Sequence, residues 1–216
     1  MEIHATEEQQ VEAIKKWWKE NRWSVIGGVA IGIVVLIGGR AWVEGQNSYI
    51  ESAFSEYQNM LNEIAEGKND EAEKKGASLL GQYSDTPYAP LAALAMANIK
   101  LEKGDLIAAS SHLRWALDNA KQESIKHESR LRLGKILLAE NKTSEALSLL
   151  NVTDTGMYTS AYEHLKGDIY VKEGKLESAR TAYSRALMEL SPASPDRNIL
   201  QMKLDDLGNK AEEGIS

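Results

Sequence analysis

The stretch KGDIYVKEGKLESARTAYSRAL, residues 166–187, reads as two helices joined by a short turn. Gly174 lies between two apolar patterns of helical period, and a glycine in that place is typical of a residue that ends a helix in the left-handed conformation. Gly167 in the first helix and Ala179 in the second are small, and Tyr183 follows one turn after the alanine. Small residues let two antiparallel helices approach closely, and a large neighbour fills the remaining space.

The same arrangement recurs along the chain. The turn residues are spaced by 37, 37 and 33 positions, and an alanine follows five residues after each turn; the turns are Gly67, Gly104, Asn141 and Gly174, and the alanines are Ala72, Ala109, Ala146 and Ala179. No convincing alternating strand pattern accompanies them. The period predicts three or four tetratricopeptide-like helix pairs, with an ordinary helical bundle as the alternative. We therefore expect an all-α fold, an α-solenoid over residues 44–208.

Gly, Asn and Pro positions set the expected helix boundaries. The Thr86-Pro87 and Ala89-Pro90 pairs should interrupt the helical structure, so that the next helix begins at Leu91. Ser194 and Pro195 should start a C-terminal capping helix that ends at Gly208, with Ile199, Met202 and Leu207 covering the last repeat. Residues 209–216 are expected to fray. The other helices are expected at Tyr49–Ile64, Asp70–Tyr83, Leu91–Lys103, Leu106–Ala120, Ser124–Glu140, Thr143–Leu150, Met157–Glu173 and Leu176–Leu190.

An apolar stretch, residues 23–43, precedes the repeats. It reads WSVIGGVAIGIVVLIGGRAWV and has no ionisable residue from Ser24 to Gly39. As a helix it would be about 31 Å long, close to the roughly 30 Å hydrocarbon thickness of a bilayer. We interpret it as a transmembrane signal-anchor helix. A buried core helix and a cleaved signal peptide are the alternatives, but nothing else is apolar enough to enclose the stretch and no A-x-A cleavage pattern follows it.

The charges beside the span predict its orientation. Four basic residues lie in residues 1–22, whereas the next basic residue after Arg40 is Lys68. The positive-inside rule therefore places residues 1–22 in the cytoplasm as a tail and the repeat domain outside it.

The tail has helical features of its own. Thr6 and Gln9 match a capping box, and Val11, Ile14 and Trp18 follow at i, i+3 and i+7. This pattern predicts a short amphipathic helix at the cytoplasmic interface, with disorder as the alternative.

Three glycines lie on one face of the span. Gly28 and Gly32 form a G-x-x-x-G motif, and Gly39 follows eleven residues after Gly28. Such a groove admits another helix within a bilayer, although the glycines are also compatible with simple anchoring.

Composition and motifs argue against several function classes. The net charge of −7 lies on residues 44–216, because the basic and acidic residues of 1–43 balance, and an acidic domain is a poor nucleic-acid partner. There is no Cys, which excludes disulfides and thiolate metal sites. The four histidines form no spaced ligand set, and no phosphate-binding loop or G-x-S-x-G is present. We expect a binding protein without catalytic residues, cofactor or metal.

The first helices of such repeats line a concave face, and this face is the candidate partner-binding site. Each of its apolar members could instead pack neighbouring repeats. The candidate residues are Tyr57, Leu94, Asn98, Leu131, Lys135, His164 and Asp168.

The tail EEQQVEAIKKWWKENRW, the glycine-rich span and the repeat of residues 166–187 resemble the ancillary SecYEG translocon subunit (YfgM-like) family of Gram-negative bacteria, over essentially the whole chain. The resemblance implies a single-span inner-membrane protein with a periplasmic repeat domain. It implies association with the SecYEG translocon and with a membrane-anchored, parvulin-like periplasmic chaperone (PpiD), and assistance to exported client proteins. It also implies a link to a cytoplasmic stress-response regulator. No catalytic residues come with it.

Two other roles fit the same architecture. The chain could be a membrane-tethered regulator with residues 1–22 as effector, or an adaptor for a catalytic partner in lipid or cell-wall metabolism. The sequence also leaves open whether the concave face holds chaperone or client, whether the span touches the translocon directly, and the stoichiometry.

Overall fold

The computed structural model describes residues 7–213, with side chains described for residues 10–208. The capping box expected at Thr6 and Gln9 lies outside the described side chains. The chain divides into two compact units, one ending at Ser52 and one beginning at Ala53.

Helices account for all the regular structure of residues 7–213, and no strand is found in this range. A short 3₁₀ helix, Gly156–Tyr158, precedes the seventh α-helix. The α-helices are α1 (Glu7–Ala65), α2 (Asn69–Gln82), α3 (Tyr88–Glu102), α4 (Leu106–Asn119), α5 (Glu123–Ala139), α6 (Thr143–Leu149), α7 (Thr159–Lys172), α8 (Leu176–Glu189) and α9 (Asp196–Glu213).

Helix α1 is one continuous helix of 59 residues. The sequence predicted a short tail helix that leads into the span and a helix over Tyr49 to Ile64 that is closed by Gly67. In the described residues these run together as one helix, so no helix begins at Tyr49. The physical reason is that no proline occurs between Glu7 and Ala65, and each glycine weakens a helix by about 1 kcal/mol without necessarily ending it. By length and composition α1 can cross a membrane, since an 18-residue window has a mean hydropathy of 1.9 and none of that window is buried.

Two expected helix boundaries are also wrong. Pro90 does not precede α3 but lies in its first turn, where the backbone N–H groups have no partner within the helix and a missing N–H costs little. Helix α9 does not end at Gly208 but continues to Glu213. Gly208 is absent from the glycines with positive φ, so it does not terminate the helix.

The four predicted turn residues are confirmed. Gly67, Gly104, Asn141 and Gly174 have φ values of 74°, 75°, 61° and 73°. At each turn the N–H of the left-handed residue donates to the carbonyl three residues back, and the next N–H donates to the carbonyl five residues before it, as in Gly174 to Val171 (3.0 Å) and Lys175 to Tyr170 (2.9 Å). These bonds satisfy the last carbonyls of the first helix of each pair, so the chain reverses within three residues.

Four helix pairs follow from these turns, namely the part of α1 from Ala53 with α2, then α3 with α4, α5 with α6, and α7 with α8. The alanines expected at the pair contacts are fully buried; they are Ala72, Ala109, Ala146 and Ala179.

Glycine and alanine set the distance between helices, both within a pair and between neighbouring pairs. A Cβ on Gly167 would lie 2.3 Å from Cε1 of Tyr183, and one on Gly134 would lie 2.9 Å from Cδ2 of Leu165. Ala97 takes the equivalent place in α3 and is fully buried. Gly76 in α2 was not predicted from the sequence. A Cβ on this residue would lie similarly close to the side chain of Met96.

Helix α9 covers the last pair, as expected, and Leu207 is buried there as predicted, but Leu200 takes the place of the other two predicted residues. Leu200 and Leu207 are buried in a cluster with Ala179, Tyr183 and Ala186. Ile199 and Met202, which were expected to cover the repeat, are 45% and 59% exposed. The prediction for α9 is therefore confirmed at Leu207 and wrong at Ile199 and Met202.

Gly167→Ala should lower the free energy of unfolding by about 1–3 kcal/mol, because the new methyl group overlaps the Tyr183 ring and α7 and α8 must separate. The measurement is denaturant unfolding of the full-length chain in mild detergent, followed by far-UV circular dichroism. Gly81→Ala is the control, since Gly81 is exposed in α2 with no atom within 4 Å of its Cβ position. Equal stability of the two variants would contradict the close-contact interpretation.

Candidate functional site

The first helices of the four pairs (α1 from Ala53, α3, α5 and α7) contact one another in order, and their exposed side chains form what we call the first-helix face. Rings join α1 to α3, where Phe54 lies 5.4 Å and Tyr57 5.9 Å from the ring centroid of Tyr88. His127 of α5 bonds Tyr162 of α7, with 2.9 Å between Nδ1 and the hydroxyl. The sequence-predicted site residues of the repeat domain all belong to these four helices.

The C-terminal end of the face is already occupied by α9. Lys203 of α9 donates to Oδ1 of Asp168 at 2.5 Å and lies 2.8 Å from Nε2 of His164. Tyr183 of α8 donates its hydroxyl to the same carboxylate oxygen at 2.6 Å. Two of the predicted partner-binding residues thus hold the chain's own capping helix, and we call His164, Asp168, Tyr183 and Lys203 the cap cluster.

The cap cluster changes the acidity of its members. Burial, followed by the positive charge of Lys203, lowers the pKa of His164 below its ordinary value. The imidazole is therefore favoured in its neutral form, which can accept the bond from the Lys203 ammonium. Burial and the Asp168 carboxylate raise the pKa of the Tyr183 hydroxyl, which keeps that group a donor.

The middle of the face is polar, and most of its polar side chains pair with one another. Arg132 donates to Oδ1 of Asn98 at 2.8 Å and to Oε1 of Glu128 at 2.6 Å. Leu131 is only 7% exposed and belongs to the core, so it cannot line a binding surface. Lys135 is exposed, and among the described residues it has no carboxylate within ion-pair distance.

The N-terminal end of the face is open and apolar. Phe54 is 42% and Leu61 40% exposed, and Tyr57 and Tyr88 are half-buried beside them. Leu94 of α3 is half-buried and packs against the core between the second and third pairs. We call Phe54, Tyr57, Leu61 and Tyr88 the aromatic patch. Sequence analysis found only Tyr57 among them, although Phe54, Tyr57 and Leu61 follow one another at i, i+3 and i+7 on a single helix face.

The span glycines Gly28, Gly32 and Gly39 are exposed, and none has an atom within 4 Å of its Cβ position. The side of α1 that they form is therefore accessible to another helix. Within residues 10–208 no group of three or more His, Asp or Glu side chains is placed to hold a metal ion.

The comparisons with known proteins agree with this architecture. Residues 15–209 match the tetratricopeptide repeat-like domain family. The chain is 30% identical over 208 residues to the ancillary SecYEG translocon subunit of Escherichia coli, which covers 96% of this chain and 99% of the relative. It is 30% identical to the protein of that name from Haemophilus influenzae, over 93% of this chain and 97% of the relative. It is 29% identical to the one from Neisseria gonorrhoeae, over 96% and 100%. No solved structure matches.

Lys203→Met should loosen α9, because it removes the ammonium that neutralises the partly buried Asp168 carboxylate. We expect a loss of about 1–3 kcal/mol in stability and faster amide exchange in α9, measured by hydrogen exchange with mass spectrometry on the full chain. Lys142→Met removes an exposed pair with Glu140 and should change stability by about 0.5 kcal/mol or less. Unchanged exchange in α9 of the Lys203 variant would show that the cap cluster does not hold the helix.

The stability of the repeat domain should fall when the pH is lowered from 7.5 to 5.5. The folded pKa of His164 lies below its unfolded value of about 6.5, so in this window the unfolded chain binds more protons and acid favours unfolding. The groups facing His164 are Asp168, Lys135, Tyr183, Lys203 and Asp196. His164→Gln should reduce the pH dependence of the denaturation midpoint. Part should remain, because burial also lowers the pKa of His112, and an unchanged slope would exclude His164 as its source.

Proposed function

We propose a function for this chain from the premise that it belongs to the family of ancillary SecYEG translocon subunits. It is a non-catalytic subunit with a single span, and it holds a helical-repeat scaffold beside the translocon on the periplasmic side of the bacterial inner membrane. The scaffold binds a membrane-anchored periplasmic chaperone of the PpiD type and helps pass exported proteins to periplasmic chaperones.

The observation that carries the proposal is the match over nearly the full length of relatives named as translocon subunits, which includes both the span and the repeats. Association with the translocon is said of those relatives by their names. It is supported here by an exposed apolar helix long enough to cross a membrane. The excess of positive charge before the span supports a cytoplasmic N-terminus.

The aromatic patch is the part of the first-helix face best suited to the chaperone. Aromatic residues are enriched in protein interfaces, and a few well-packed residues carry most of the binding energy there. Asp168 and His164 are less suitable because they already bind Lys203. A substitution of Asp168 would alter the cap cluster as well as any interface, so the patch gives the cleaner test.

Phe54→Ser with Leu61→Ser should reduce recovery of the chaperone roughly tenfold in a mild-detergent pull-down from native membranes, because two exposed apolar anchors are lost. Recovery of translocon subunits should persist if the span binds them. Ile107→Ser with Met188→Ser is the matched control, since these side chains are 77% and 80% exposed on the second helices of their pairs.

A second variant, Gly28→Leu with Gly32→Leu, tests the span instead of the aromatic patch, because it fills the glycine face of the span. It should reduce recovery of translocon subunits and leave the repeat domain folded. If wild-type chain recovers neither translocon subunits nor chaperone under conditions that preserve the translocon, the proposed function is wrong.

A further inference from the structure

We propose that the segment of α1 just before the span, residues 15–22, binds anionic phospholipid headgroups. This proposal rests on the proposed bilayer span of residues 23–43 and needs no translocon or chaperone partner. The ligand is a membrane lipid with net negative charge, such as phosphatidylglycerol.

Three cations share one side of this segment. Lys15, Lys19 and Arg22 follow one another at i, i+4 and i+7, which places them on one face of the helix. At about 100° per residue, the indole of Trp18 is about 40° from Arg22 and about 60° from Lys15 around the axis. The face therefore combines phosphate-binding cations with an aromatic ring of the kind that is enriched at membrane–water interfaces.

These cations have no carboxylate partner among the described side chains, whereas most lysines of the repeat domain do. Lys68, Lys74, Lys100 and Lys142, for example, all lie within 3 Å of a carboxylate oxygen. The Arg22 guanidinium lies 5.9 Å from the ring centroid of Trp23, which leaves its donors available to an anion. Unpaired cations are therefore more frequent in this segment than on the surface of the repeat domain.

The depth of these side chains suits lipid headgroups. Because α1 is continuous, the backbone of Lys19 lies about 6 Å from that of Trp23 along the helix axis, on the side away from the span. The backbone of Trp18 lies about 7.5 Å from it on the same side. A headgroup layer is about 5–7 Å thick on each side of the hydrocarbon. Lys15, about 12 Å from Trp23, is still within a Debye length of the outer edge of that layer.

The opposite end of the span does not offer such a face. There Arg40 is followed by Glu44 and Glu51, with no further cation in the first unit. Near the proposed site, Glu20 lies on the far side of the helix and Glu12 is further from the span than Lys15. Attraction of anionic lipid is therefore expected at one end of the span only.

The test is native mass spectrometry of the purified full-length chain in mild detergent, titrated with phosphatidylglycerol or with phosphatidylcholine. The wild-type chain should bind phosphatidylglycerol on the order of tenfold more tightly than phosphatidylcholine, and Lys15→Gln with Lys19→Gln and Arg22→Gln should abolish most of that preference. Lys15→Arg with Lys19→Arg and Arg22→Lys should retain it.

Two controls separate a local site from a general charge effect. Arg40→Gln removes a cation at the other end of the span, and Lys68→Gln with Lys74→Gln and Lys142→Gln removes three charges from the repeat domain; both should keep the preference. The proposal is overturned if wild type binds the two lipids equally, if the segment variant keeps its preference, or if the repeat-domain control loses it equally. Loss of translocon recovery in the pull-down would not affect this result, so the two proposals fail separately.

Discussion

The close approach of two helices within each pair is the constraint on which the repeat domain depends. It requires a side chain of one carbon or none at the contact, as at Gly167 of α7 against Tyr183 of α8. A glycine also permits close contact between neighbouring pairs, as at Gly134 of α5 against Leu165 of α7. Where glycine is replaced by alanine, as at Ala97, the residue is still fully buried. A larger residue would force the helices apart, and the alanines and tyrosines opposite would lose their contacts together.

The left-handed turns make this approach possible. Two backbone bonds at each of the four turns satisfy the carbonyls that end the first helix, so the second helix can begin within three residues. Asn141 replaces glycine at one turn, in agreement with the tolerance of asparagine for positive φ. Short connections keep the paired helices antiparallel and leave the first helices on a common face.

That face is divided by what packs against it. At its C-terminal end the leucines of α9 cover the last pair, and Lys203 neutralises Asp168. At its N-terminal end the aromatic patch has no covering element among the described residues of the repeat domain, so apolar surface remains open. A continuous binding face expected from helix positions alone is thus reduced to one end, and this difference directs the proposed chaperone contact to α1 and α3.

The sequence by itself determined the features that depend on local chemistry. These are the apolar stretch of residues 23–43, the turns at Gly67, Gly104, Asn141 and Gly174, and the buried alanines. At the turns and the alanines, the nearby backbone requires a positive φ or a small side chain. Only the tertiary structure decided which candidates are available to a partner. Leu131 is buried, and His164 and Asp168 bind Lys203, which is 39 and 35 residues further along the chain. The side of a helix that a side chain occupies can be read from spacing, but its exposure depends on packing partners that are distant in sequence.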